Sequence, residues 1–130
     1  MPESINPVRN NINSSRSPKN GKISNRVKNQ KEIKKITKQI VEKYKPEKII
    51  LFGSFVYGKI KPSSDMDLFI IKKSNLPRRF RTTKVERLLG STPFPVDILV
   101  YTPKEIEKRK ALGDFFIRNI FKKGKVLYAR

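Results

Sequence analysis

Three acidic residues sit where β-structure should be greasy, and that constrains the fold of this chain more than any other feature. Leu51 to Ile71 reads LFGSFVYGKIKPSSDMDLFII. Gly53 and Ser54 close one apolar run, ten residues intervene, and Asp65 and Asp67 then flank Met66 at the start of a second. A third acid, Asp97, lies inside a third run, Phe94 to Tyr101. Side chains two apart on a strand point to one face, so Asp65 and Asp67 are expected together. Like charges in a low dielectric drive each other toward protonation, and burying them unpaired is costly. Either lysines neutralise each acid separately, or one shared cation serves all three. Three such acids beside a glycine-serine turn favour the shared cation.

The turn itself has a chemistry. Where a strand ends in Gly-Ser and a helix begins at once, the first backbone N–H groups point outward with the positive end of the helix dipole. A phosphate fits there. Gly53 allows close backbone approach, because no Cβ stands in the way. The Ser54 hydroxyl can donate to a phosphate oxygen. Gly-Ser alone would read as an ordinary capped turn. With the acids nearby it reads as a nucleotide site, its carboxylates holding divalent metal through oxygen donors and phosphate.

Composition narrows the chemistry further. The chain has 130 residues, enough for one domain, and contains neither cysteine nor histidine. Disulfides, thiol zinc sites, His-ligated metals and histidine general bases are excluded. Any catalysis must run on carboxylates, hydroxyls, cations and a hard metal ion. No run is long and apolar enough to span a membrane, and no secretory segment opens the chain, so a cytoplasmic location is expected. Lys and Arg number 31 against 11 acids, a formal charge of +20. Such a surplus attracts polyanions, although lysines spread along a whole chain are usually just solvated faces.

Residues 1–28 are rich in Asn, Ser, Pro and cations, too polar to offset their ordering entropy, and are expected to be a disordered basic tail. Arg9, Arg16, Lys19, Lys22, Arg26 and Lys28 stand there against Glu3, giving at most a weak nucleic-acid contact. The domain proper is expected over 29–130. Ile33, Ile36, Ile40, Val41 and Tyr44 form a helical stripe, with Asn29 and Glu32 as a capping box and Pro46 as the stop. Lys48 to Phe52 is a strand, Phe55 to Gly58 a short helix capped by Ser54, and Met66 to Lys72 a strand. Arg78 to Leu89 is a helix with Val85, Leu88 and Leu89 inward, and Phe94 to Tyr101 is a third strand. Thr102, Pro103 and Glu105 make the clearest helix start. Phe116, Ile117, Ile120 and Phe121 mark a last helix ending at Gly124, and Val126 to Tyr128 an edge strand. The order implies an α/β (α+β) two-layer domain.

Gly53-Ser54, ten residues, Asp65-Met66-Asp67 and a later strand bearing Asp97 resemble the nucleotidyltransferase superfamily related to DNA polymerase beta. The size and the Ser64-Asp65-Met66-Asp67-Leu68 setting resemble its minimal nucleotidyltransferase branch. The resemblance covers Asn29 to Tyr128. It implies a single small domain, a short mixed sheet with helices packed on it, and Mg²⁺-dependent transfer of NMP from an NTP such as ATP onto a hydroxyl. Asp65, Asp67 and Asp97 would be catalytic and hold two Mg²⁺ ions, and Gly53 and Ser54 would bind the nucleotide. Members of the branch pair with small helical HEPN-domain proteins in toxin–antitoxin systems, which makes such a partner the expected acceptor. One departure is visible: Phe55-Val56-Tyr57 stand where the branch often carries Arg, leaving the phosphate-binding cation unassigned. The competing reading is a non-catalytic basic module that neutralises a partner or contacts RNA through Arg78, Arg79, Arg81 and the tail.

Overall fold

The computed structural model describes residues 19–57 and 65–130, with side chains from 30 to 56 and from 65 onward. Two units emerge, 1–35 and 36–130. The described part of the first is helical. The helix α1 (Lys19–Tyr44) begins ten residues ahead of Asn29. Residues 19–28, expected to be unstructured, are therefore helical, and Asn29 with Glu32 is helix interior, not a capping box. Lys19, Lys22, Arg26 and Lys28 are good helix formers, and no proline interrupts this stretch. The rest of the tail lies outside the described residues.

The second unit carries the sheet. Ile36, Ile40 and Tyr44 of α1 are buried, and the helix ends where Lys45 turns left-handed (φ 54°) ahead of the buried Pro46. The Lys45 N–H donates back to the Ile40 and Val41 carbonyls, satisfying the last turn. There follow β1 (Lys48–Phe52), α2 (Ser54–Tyr57), β2 (Met66–Ile71), α3 (Arg78–Leu89), β3 (Val96–Tyr101), α4 (Pro103–Ala111), α5 (Phe115–Lys123) and β4 (Lys125–Ala129). The order across the sheet is β3-β2-β1-β4. β1 runs antiparallel to both β2 and β4, while β2 and β3 are parallel, so the sheet is mixed. No helix among the described residues is long and apolar enough to cross a membrane.

Both faces of the sheet are buried, and the α+β domain with a short mixed sheet and helices packed on it is as expected. One face carries Ile50, Phe69, Ile71 and Tyr101, packed with Ile106 of α4 and Ile117 and Ile120 of α5, with Phe52, Leu99 and Phe121 at the margin. Ile49, Leu51, Met66, Leu68, Ile70, Ile98 and Val100 alternate onto the other face and are likewise buried. Burying such runs of branched side chains contributes roughly 1.5–3 kcal/mol each, before conformational entropy opposes it.

Two helix starts follow from local chemistry. Thr102 accepts from the Glu105 N–H while the Glu105 carboxylate accepts from the Thr102 N–H, and Pro103 takes the first position. The Asp114 carboxylate accepts from the Ile117 N–H and starts α5, a cap not foreseen from sequence. Of the four residues that mark this helix, Ile117, Ile120 and Phe121 face the sheet, while Phe116 is 48% exposed.

Arg81 is the other surprise. Four residues before Val85, it is only 5% exposed. Its guanidinium donates to both Glu105 oxygens at 2.7 and 3.1 Å, to the Val100 carbonyl at 3.0 Å and to the Leu76 carbonyl at 2.8 Å. The Pro95 and Tyr101 carbonyls bond to Met66 and Lys72, so the alternate carbonyls of β3 face its free edge. There Thr82 donates to Ile98 and Arg81 to Val100. Helix α3 thus satisfies an edge that would otherwise invite another strand.

Candidate active site

Asp67 and Asp97 meet by register. Each is the second residue of its strand, and β2 and β3 pair in parallel with Asp67 beside Asp97. Across the other side Asp67 faces Phe52, the last residue of β1. Directly opposed residues share a face, so Phe52, Asp67 and Asp97 stand in one row at one end of the sheet. That row lies on the face covered by α4 and α5, at its margin. Met66 and Leu68, on either side of Asp67, point to the opposite face and are fully buried.

The carboxylates interact. Asp67 is half-buried, and its pKa is raised first by loss of solvent, then by the charges of Asp97 and Asp65. Asp65 lies just ahead of β2 rather than inside it, and both Asp65 and Asp97 are exposed. Among the described residues no three acids converge tightly enough to form a ready-made metal cluster. What the sheet brings together is Asp67 with Asp97, and Asp65 acts on Asp67 from the strand's approach.

Gly53 stands directly against Asp67. Its φ of +78° is one that side chains rarely tolerate, and a Cβ there would collide with Asp67 Oδ2 and lie 3.2 Å from its Cγ. The turn glycine and the central acid are therefore in direct apposition. Ser54 is the first residue of α2 instead of its cap, and the Val56 N–H bonds to the Gly53 carbonyl at 3.0 Å. Phe55 is buried, its ring 5.1 Å from that of Phe94, which ties α2 to the approach of β3. Gly58 and the loop to Ser64 lie outside the described residues.

The donor set fits a hard cation: oxygen ligands only, and an acid whose ionisation is opposed by its neighbours. A cation between Asp67 and Asp97 would relieve both the desolvation and the repulsion. The basic cluster on α3 fits RNA less well. Arg81 is consumed by Glu105 and the β3 edge, while Arg78 stacks 4.5 Å over the Tyr101 ring and Arg79 4.9 Å over Phe80.

Comparison with known proteins shows the family and the fold. A family profile described as the nucleotidyltransferase domain matches residues 31–127. The fold is similar to the crystal structure of a candidate nucleotidyltransferase from Sulfolobus solfataricus, with a TM-score of 0.59 and 18% identity over 91% of this chain and 92% of that one. No curated protein matches in sequence. The profile spans β1 to β3, the Gly53–Ser54 turn and all three acids, and the chain belongs to the nucleotidyltransferase domain family.

Proposed function

We propose that this chain transfers a nucleoside monophosphate from an NTP, with ATP the favoured donor, to a hydroxyl of a partner protein. The observation that carries the reading is the side-by-side placement of Asp67 and Asp97, with Asp67 raised in pKa by burial and by both neighbouring acids. Such a pair is an energetic liability unless cations occupy it.

In this reading Asp65, Asp67 and Asp97 would hold Mg²⁺, which would supply charge neutralisation on the triphosphate. The Gly53 backbone and the Ser54 hydroxyl hold phosphate oxygens. Asp97, exposed at the rim, accepts the proton of the attacking hydroxyl as its oxygen bonds the α-phosphorus and pyrophosphate leaves. Phosphoryl transfer asks mostly for positioning and charge neutralisation, so this short roster is chemically sufficient. The minimal-nucleotidyltransferase resemblance favours a helical HEPN-type acceptor in a toxin–antitoxin pair, acting in the cytoplasm.

The test is direct. Labelled ATP, Mg²⁺ and a HEPN-type protein that co-purifies with this chain should give labelled partner. Asp65→Ala combined with Asp67→Ala should abolish it, and persistent labelling would refute the assignment.

A further inference from the structure

Leu112, Phe115 and Phe116 fall within five residues and are 73%, 83% and 48% exposed. Apolar surface concentrated in this way marks an interaction site more often than chance exposure does. Phe115, Phe116, Arg118, Asn119 and Lys122 line an open groove of about 530 Å³ along the outer side of α5. The lining holds two cations and no acid. Asp114, the acid nearest in sequence, is committed to the Ile117 N–H and to Arg109 at 3.7 Å. The Arg118 guanidinium donates to the Lys110 carbonyl, and no carboxylate pairs with Arg118 or Lys122 among the described residues.

We infer that the outer face of α5 is a docking surface for a protein segment that presents apolar side chains among acidic ones. Charge complementarity selects this occupant. A second copy would bring the same cations and another +20, so self-association is opposed. Single-stranded nucleic acid would also suit the charge, but it needs rings on which bases can stack. Leu112 offers none, and the Phe116 ring is held edge-on to Phe52 at 5.8 Å, leaving Phe115 as the uncommitted one of the two rings. Aliphatic and aromatic surface together suit apolar side chains better.

The surface also has a useful address. Phe116 touches Phe52, and Phe52 is the cross-strand neighbour of Asp67. A segment held on α5 therefore lies beside the row of carboxylates, where an acceptor hydroxyl is wanted. The docking stands by itself; its role as acceptor delivery rests on the transferase reading above.

The probe is a fluorescent amphipathic peptide with Leu and Phe on one helical face and Glu on the other. Its control has the same charge, with Ser at every apolar position. Binding is measured by anisotropy at physiological salt on the full chain carrying Asp67→Asn, without NTP or Mg²⁺, so docking and catalysis fail separately. The apolar peptide should bind at least about tenfold tighter than the control. Phe115→Ser and Arg118→Glu should each weaken it about fivefold or more, with the melting temperature unchanged because both side chains are exposed. Equal binding of the two peptides, or indifference to Phe115→Ser, would overturn the inference. Phe115-dependent binding of a labelled oligouridine in place of the peptide would overturn it in favour of nucleic acid. A dimer in sedimentation that Phe115→Ser abolishes would overturn it in favour of self-association.

Discussion

Gly53 and Asp67 are pressed together so closely that a single added methyl group on the glycine would collide with the carboxylate. The positive φ of Gly53 alone makes a side chain there cost roughly 1–2 kcal/mol. Gly53→Ala should therefore destabilise the fold modestly and push Asp67 away from Asp97. Since small misplacements of reacting groups can cost about 10²-fold in rate, transferase activity should fall far more than stability does. Thermal melting and turnover measured on the same variant check this. Loss of activity only in proportion to unfolded protein would mean that the apposition has no catalytic role.

Asp67→Asn should raise the stability of the metal-free protein at neutral pH while abolishing activity. The sign follows from the shift. Asp67 is harder to ionise in the fold than in the unfolded chain, so its contribution is most favourable when protonated, below its ordinary value of 3.8. That stability is lost as pH rises through the elevated folded value. Removing the charge should restore up to about 1 kcal/mol at pH 7, or roughly 3–5 °C, given the partial exposure of the site. The gain should vanish in melts carried out below the ordinary carboxylate range. Mg²⁺ with NTP should stabilise the natural chain by mass action and the variant much less.

Glu105 has the opposite sign. Two hydrogen bonds from Arg81 hold its pKa below the ordinary 4.5, against some loss of solvent. Its contribution is therefore present above that value and disappears as pH falls through the lowered folded one. With the Glu105 side chain 34% exposed, Glu105→Gln should cost about 1–3 kcal/mol at pH 7, much of it from leaving Arg81 buried without its counter-charge. The difference from the natural chain should shrink progressively in acid. Arg81→Lys should not spare the fold, because one ammonium cannot span Glu105, Val100 and Leu76 as the planar guanidinium does. Denaturant titrations across pH would expose either failure.

The contrast between Arg81 and Thr102 shows what a sequence can disclose. Thr102-Pro103-x-Glu105 is a local device, and it caps α4 as its spacing says it should. Lys48–Phe52 and Arg78–Leu89 are likewise legible, because short branched runs and breakers delimit them. Arg81 shares the inward stripe of Val85 and Leu89, but its burial depends on the free carbonyls of β3 and on a glutamate 24 residues away. Nothing near Arg81 in the chain announces those partners. The acids divide in the same way. Their presence in apolar runs was readable, but the pairing of Asp67 with Asp97 is a consequence of non-local register. The helical character of 19–28 was missed because polar composition argues against core burial while remaining compatible with helix.

Gly124 gives a last test, one of packing alone. Its φ of −71° suits any residue, so no backbone strain attends a substitution. A Cβ there would nevertheless lie 2.5 Å from the Ile120 carbonyl oxygen, 2.5 Å from Ile50 Cγ2 and 3.2 Å from the Leu51 carbonyl oxygen. Two of these contacts are backbone and cannot swing aside. Gly124→Ala should therefore lever the end of α5 off β1 and strain the hand-over into β4, which pairs with β1 from Lys125 onward. The expected cost is about 1–3 kcal/mol from overpacking. Gly90→Ala meets nothing within 4 Å and should pay only for its positive φ of 63°. Chemical denaturation of the two variants side by side separates steric from conformational cost. A Gly124→Ala protein as stable as the natural chain would show that α5 can move away from β1 freely, and the seat of Phe116 against Phe52 would lose its fixed geometry with it.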